Sequence, residues 1–195
     1  MNRALDLIVA AAGLALCAPI LLAAAAAIRL DSRGPIFYRH TRIGKDGVPF
    51  ELWKLRTMVV GAEHQGAWLY IEDRDPRITR VGWFLRRFSL DELPNLFNVL
   101  EGDLAIVGPR PTVSVQVDRY TDHQRRRLEV RPGITGCAQV NGRASLSWPE
   151  RIELDVWYVD HRSLALDLRI LARTLKLLAT GQGLYSSELE QGWGD

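Results

Sequence analysis

The sequence is short of lysine, cysteine and histidine, and each shortage narrows the chemistry open to it. Only 3 of its 25 basic residues are lysine, and the other 22 are arginine. A guanidinium fork suits phosphate oxygens better than an ammonium does, yet a codon bias toward arginine leaves the same imbalance, so composition alone does not decide for phosphate binding. The 2 cysteines are Cys17, inside an apolar run, and Cys137, far downstream; without a C-x-x-C pair or a nearby histidine cluster they support neither a disulfide framework nor a zinc site. His40, His64, His123 and His161 are scattered. These absences fit a reducing, cytosol-facing domain. The 23 acids nearly balance the 25 bases, which gives no reason to expect a nucleic-acid partner.

Charge is missing altogether from Leu7 to Ile28, and those 22 positions meet the length a straight helix needs to cross a hydrocarbon core. A cleaved signal peptide is the weakest explanation, because its apolar region is shorter. A simple span and a broken helix that enters and returns on one side both remain. Pro19 lies near the middle and predicts a kink near Ala18. Arg3 precedes the segment while Arg29 and Arg33 follow it, so both ends carry the cation that normally stays cytoplasmic.

The remaining length allows one domain, and the natural division is a membrane helix over 1–30 and a membrane-associated catalytic domain over 31–195. "IFYRHTRI" and "FELWKLRTM" flank the turn Gly44-Lys45-Asp46-Gly47 and predict a β-hairpin over 36–58, followed by a polar stretch to about Arg74. "VGWFLRRFSLDELPNLFNVLEG" reads as helix, interruption, helix, with Gly102 as the stop. A short strand is expected in "GDLAIVGPRP", a helix over Thr112 to Glu129, a loop at "RPGITG" and a strand at "CAQV". Two helices close the pattern, Pro149 to about Val159 and Leu164 to Ala179. This is an α+β fold, α-rich with a small sheet. Trp83 and Phe84 beside Arg86 and Arg87, and the stripe Leu164, Leu168, Leu171, Leu175 and Leu178 with Arg169, Arg173 and Lys176 elsewhere, have the pattern of interfacial amphipathic helices. An ordinary core stripe with a solvated basic face has the same pattern.

The chemistry centres on "SLDELPNL", residues 89–96. Ser89-x-x-Glu92 predicts a capping box, which explains those residues structurally and leaves Asp91 over. An aspartate near a helix start is held ionised by free amides and the dipole and can serve as a nucleophile toward phosphorus. Adjacent helical residues point about 100° apart, so separate roles suit the pair: one carboxylate attacks, and the other holds a hard cation such as magnesium, which takes one or two carboxylates plus phosphate oxygens. Candidate phosphate clamps surround them: Arg86, Arg110 between Pro109 and Pro111, and Lys54 with Arg56, which alternation in a strand would put on one face. Asp155 and Asp167 are further acids with no firm role.

"KLRTM" (54–58), "DPRITRVGWFLRRFSLDELPNLFNVLEGDLAIVGPRP" (75–111) and "RPGITGCAQVNGR" (131–143), preceded by the apolar segment, resemble the small bacterial sugar transferases, the monotopic phosphoglycosyltransferases that start glycan assembly on a polyprenyl phosphate. The resemblance implies a re-entrant membrane helix and a two-step transfer at the cytoplasmic face of the bacterial inner membrane. Asp91 would take a phosphosugar from a nucleotide diphosphate sugar, usually a UDP-sugar, as a covalent intermediate, and undecaprenyl phosphate or a similar lipid would displace it. Glu92 would bind Mg2+; Arg86 and Arg110, with Lys54 and Arg56, would line the phosphate site. Ala18-Pro19 departs from the family's usual Ser-Pro, and so does Cys137 where an aromatic is common. Expected partners are the nucleotide sugar, the lipid phosphate and the membrane; homo-oligomerisation is left open. A nucleotide-sugar hydrolase and an inactive scaffold of a glycan assembly complex are the rival expectations.

Overall fold

A computed structural model describes residues 2–62, 75–142 and 146–180. Most of the expected polar stretch beyond the hairpin, 63–74, together with Arg143 of the third motif and the chain past 180, lies outside the described residues.

Helix α1, Arg3–Asp31, is started by Asn2, whose side chain accepts from the Ala4 amide at 3.1 Å. It continues without a break across Ala18 and Pro19, since a proline deletes one donor and the rest of the ladder can carry on around it. By length and composition α1 can cross a membrane, and little of its apolar stretch is buried in the protein. What is buried lies near its two ends. At the first, Ala10 joins Val99, Leu104 and Ile106 in the main core, and Asp6 Oδ1 accepts from the Ile106 amide at 3.1 Å. At the second, Ala24 and Ile28 pack with Leu55 and Leu85, and Asp31 Oδ2 accepts from the Val81 amide at 3.0 Å. Both ends therefore dock on one body.

The predicted hairpin is β1, Phe37–Ile43, antiparallel to β2, Pro49–Leu55, with Phe37 opposite Leu55 and Ile43 opposite Pro49. Its turn uses positive φ at Asp46 (56°) and Gly47 (78°), a conformation that aspartate and glycine tolerate best. Helix α2, Arg80–Arg87, is capped by Thr79. A 3₁₀ turn at Leu90–Glu92 leads to α3, Asn95–Glu101, which ends at Gly102 with φ 108°. Asn98, fully buried, ties α3 across β2: Oδ1 accepts from the Trp53 amide at 2.9 Å and Nδ2 donates to the Glu51 carbonyl at 2.8 Å.

Strand β3, Ala105–Val107, pairs in parallel with β4, Gly133–Thr135, inside the expected loop "RPGITG". The loop becomes a strand because its partner is far away in sequence, and because Gly108 and Gly133 let two backbones approach where a Cβ on either would collide with the other chain. "CAQV" is a helical turn, α6 (Cys137–Val140), not a strand. The single helix expected over Thr112–Glu129 is three pieces: α4 (Ser114–Val117), α5 (Asp122–Arg125) and a 3₁₀ turn at Arg126–Glu129. A capping box between Thr121 and Gln124 starts α5 afresh, and the interruption turns Tyr120 and Arg127 inward.

Helix α7, Trp148–His161, opens with a Ser147–Glu150 capping box, and α8 runs Leu164–Thr180. Of the leucine stripe of α8 only Leu171 packs against the main core, and partly. Leu164, Leu168, Leu175 and Leu178 are exposed, whereas Asp167 and Ile170 face inward and the Tyr158 hydroxyl donates to Asp167 Oδ1 at 2.7 Å. Trp83, Phe84 and Phe88 at α2 are exposed as well.

Candidate active site

Ser89 sets the geometry of the acidic pair. Its φ of 53° puts it in the left-handed region, and its hydroxyl makes no cap hydrogen bond, so the predicted capping box does not form. Glu92 turns away from the serine instead, because two cations compete for its carboxylate. Its Oε1 accepts from Lys54 Nζ and from Arg110 Nη2, each at 2.8 Å. Charge-assisted bonds of this kind outweigh a neutral serine amide. Although burial pushes the Glu92 carboxyl up, Arg110 and then Lys54 hold it well below the usual carboxylate range.

Asp91 sits in the 3₁₀ turn with only 9% of its surface exposed. Burial raises its pKa above the ordinary value, the neighbouring Lys54 pulls it down, Glu92 pushes it up again and Arg86 adds a smaller pull downward. A carboxylate with little water around it is a stronger nucleophile than a solvated one, and cations within range favour its ionised form.

Lys54 comes from β2, and the hairpin register adds a residue that the sequence reading missed. Arg42 stands opposite Phe50, on the strand face shared with Leu52 and Lys54. Arg42, Lys54, Glu92, Asn95 and Arg110 line one cleft, with Gly133 and Ile134 beside them. The signal was available: alternation counted across the Gly44–Gly47 turn puts Arg42 and Lys54 on one side.

Arg110 is fixed through its backbone while its half-exposed side chain stays accessible. Its carbonyl accepts from Arg127 Nη2 at 2.9 Å. Arg127 in turn pairs with Asp155 at 2.5 Å and donates to the Tyr120 hydroxyl at 2.5 Å, entirely within the interior. The amide of Gly133 donates to the Pro109 carbonyl at 2.8 Å and pins the other side of the loop. Asp155, without a role in the sequence, belongs to this support. Burial pushes its carboxyl up to about 6 against the pull of Arg127.

Arg86 is oriented by Thr57, whose hydroxyl accepts from Nε at 2.8 Å. Arg56 is not part of the cleft. β2 ends at Leu55, so the alternation that would have paired Arg56 with Lys54 stops one residue early. Its guanidinium donates to the carbonyls of Arg33 at 2.7 Å and Ser32 at 2.9 Å, just past the end of α1. The structure thus brings Lys54, Glu92 and Arg110 together, sets Asp91 and Arg86 within electrostatic reach, and uses Arg56 to hold the helix.

Among the described residues no group of three or more His, Cys, Asp or Glu could hold a metal ion. A hard cation that takes much of its coordination from substrate needs fewer protein ligands. Glu92 offers one ionised carboxylate, and Asn95 Oδ1 beside the cleft is a buried oxygen with no hydrogen-bond partner. That donor set fits magnesium.

The family model for bacterial sugar transferases matches residues 1–181. "Uncharacterized sugar transferase EpsL" of Bacillus subtilis is 44% identical over 96% of this chain and 91% of its own length. The "UDP-glucose:undecaprenyl-phosphate glucose-1-phosphate transferase" of Caulobacter vibrioides is 44% identical over 94% of this chain and 72% of its own length. The "Undecaprenyl-phosphate galactose phosphotransferase" of Salmonella typhimurium is 37% identical over 95% of this chain, which spans only 42% of that larger protein. With its cleft of paired acid and clamped cations, and with a match that covers nearly its whole length, the chain belongs to the bacterial sugar transferase family.

Proposed function

We propose that the protein moves a phosphosugar from a UDP-sugar to undecaprenyl phosphate, or a similar polyprenyl phosphate, through a covalent aspartyl intermediate at Asp91. The observation that carries this reading is the buried Asp91 next to a Glu92 held by Lys54 and Arg110. Two of the relatives support the substrate classes: the Caulobacter vibrioides and Salmonella typhimurium proteins are both named for sugar-phosphate transfer with undecaprenyl phosphate, and the former for UDP-glucose.

In the first step an Asp91 carboxylate oxygen bonds to the sugar-bearing phosphorus. The bond from that phosphorus to the bridging oxygen breaks, and uridine monophosphate leaves with the oxygen. In the second step an oxygen of the lipid phosphate attacks the same phosphorus, the aspartyl–phosphorus bond breaks, and the carboxylate is restored as polyprenyl diphosphate sugar departs. Arg110, with its backbone locked and its side chain half exposed, can exchange Glu92 for a phosphate oxygen. Lys54 can do the same, and Arg86 keeps a cation beside Asp91. Glu92 would hold magnesium, which when bound supplies positive charge to the diphosphate.

One readout separates transfer from hydrolysis. Purified protein with Mg2+ and its UDP-sugar is expected to release one equivalent of uridine monophosphate before any lipid acceptor is added, and then to stop. Sustained release without acceptor would make it a hydrolase; no release with any UDP-sugar would favour a scaffold.

Membrane attachment is read the same way. The apolar α1, the exposed leucines of α8 and the aromatics of α2 suit a domain seated on the cytoplasmic face of the inner membrane. A body that packs on α1 beside Asp6 and again at Ile28 supports both helix ends on one side of the bilayer, the arrangement of a re-entrant segment, although the helix runs unbroken past Pro19 rather than turning there. A cysteine placed at Asn2, with Cys17 and Cys137 removed, is expected to resist a membrane-impermeant thiol reagent added outside intact cells. Labelling there would restore the span.

A further inference from the structure

We propose that Asn95 supplies, through Oδ1, the second protein oxygen for the divalent cation held by Glu92. The inference rests on the functional reading above and extends it to a residue for which the sequence offered no role. Leu93 and Pro94 both have right-handed helical backbone, so Glu92 and Asn95 stand one turn apart on the same side of the chain, as residues three apart in a helix do. Both line the cleft that also contains Arg42, Lys54 and Arg110.

Asn95 is 95% buried, with 5% of its surface exposed, and Oδ1 has no hydrogen-bond partner. A buried acceptor left unsatisfied is unusual in a native fold and calls for a missing partner. The surroundings should have provided one. The cleft is rich in donors, yet Lys54 Nζ and Arg110 Nη2 are both directed at Glu92 Oε1, and Arg42 Nη2 lies against His40 Nδ1. The electropositive group that Oδ1 waits for therefore comes from outside the chain. A carboxamide oxygen is a hard, uncharged ligand, and with the ionised Glu92 carboxylate one turn away it completes a pair of protein oxygens, leaving the other positions of an octahedral ion to phosphate oxygens and water. A substrate hydroxyl could also donate to Oδ1, but it would leave the adjacent carboxylate without a part in the contact.

The test uses the full chain in detergent, Mn2+ as the probe, and UDP as a diphosphate that carries no transferable sugar. Bound Mn2+ is counted by electron paramagnetic resonance, so the readout does not depend on turnover. Asn95→Leu is expected to weaken Mn2+ binding roughly ten- to hundredfold, the range by which loss of a supporting group weakens a metal site. Asn95→Asp, nearly identical in shape, is expected to bind Mn2+ at least as tightly as the parent, and this variant keeps the proposal testable if Asn95→Leu fails to fold. Unchanged affinity in Asn95→Leu, or affinity in Asn95→Asp weakened as far as a lost ligand would weaken it, overturns the proposal; a KM for the UDP-sugar that rises in Asn95→Leu while Mn2+ affinity holds would assign Oδ1 to a substrate hydroxyl. If Glu92→Gln abolishes binding while Asn95 is irrelevant, only this inference falls. If the parent protein itself binds no Mn2+, the magnesium part of the functional reading falls with it.

Discussion

Asp91→Asn is expected to lower uridine monophosphate release by at least about 10³-fold, the scale on which removal of an attacking group acts, and to abolish any protein-bound phosphosugar. The carboxamide keeps the shape and much of the polarity of the side chain, so the loss measures chemistry rather than packing. Glu92 is not expected to take over the attack, because when Lys54 and Arg110 turn from it to the phosphates its carboxylate is the one proposed to hold magnesium. Stability should move the other way. Burial raises the pKa of Asp91 above its unfolded value, so at pH 7 the folded protein bears the cost of keeping that carboxylate charged, and a neutral asparagine removes it. The variant is expected to melt no lower than the parent at pH 7. The same shift moves the acid limb of the pH–rate profile upward from the ordinary aspartate value, since attack requires the deprotonated form. Intact protein mass spectrometry after mixing with UDP-sugar checks the adduct, and normal turnover by the asparagine variant would end the covalent assignment.

Arg127→Leu is expected to destabilise the fold by about 3–5 kcal/mol, the cost of leaving one member of a buried pair without the other. At roughly 2–4 °C per kcal/mol for a domain of this size, the melting temperature falls by about 6–20 °C. Both side chains are 2% exposed and 2.5 Å apart. Arg127 also holds the Tyr120 hydroxyl and the Arg110 carbonyl, so the change loosens the loop that aims Arg110. The pair is not fully satisfied, with Asp155 Oδ1 and Arg127 Nε both unpartnered, and ion pairs of that kind are often replaceable by apolar residues. The double change Arg127→Leu with Asp155→Leu is therefore expected to regain most of the melting temperature without regaining transferase activity. A single variant that melts within about 2 °C of the parent would mean that the pair contributes little.

Where the signal was local, the fold was legible. The Gly44–Gly47 turn fixed the hairpin, Gly102 ended α3, and the outward leucines of α8 followed a readable period. The failures have two physical sources. Some local signals were overruled by distant partners: Ser89-x-x-Glu92 spells a capping box, but Lys54 and Arg110, separated from Glu92 by 38 and 18 residues, take the glutamate. Other features have no local signal at all. Strand β4 exists because β3 lies beside it, and the pairing of Arg127 with Asp155 joins residues 28 apart. Residue types marked Lys54, Glu92 and Arg110 at the cleft and Asp91 and Arg86 within electrostatic reach of it; alternation alone grouped Arg56 with them, away from where the structure puts it, and Asn95 became visible only through its burial. The break in the Thr112–Glu129 helix could have been read, since Thr121-x-x-Gln124 is a capping box in plain sequence.

The anchoring of Asp6 carries a consequence for synthesis. Its hydrogen-bond partner, the Ile106 amide, lies 100 residues further along the chain. At ribosomal speeds of about 5–20 residues per second, that partner is made some 5–20 seconds later. During that interval α1 is a nascent apolar rod with a carboxylate near one end and no binding site for it. On the proposed membrane attachment, a bilayer would hold the rod until β3 arrives, so insertion would precede folding and the rest of the domain would be completed around a helix already lodged in lipid.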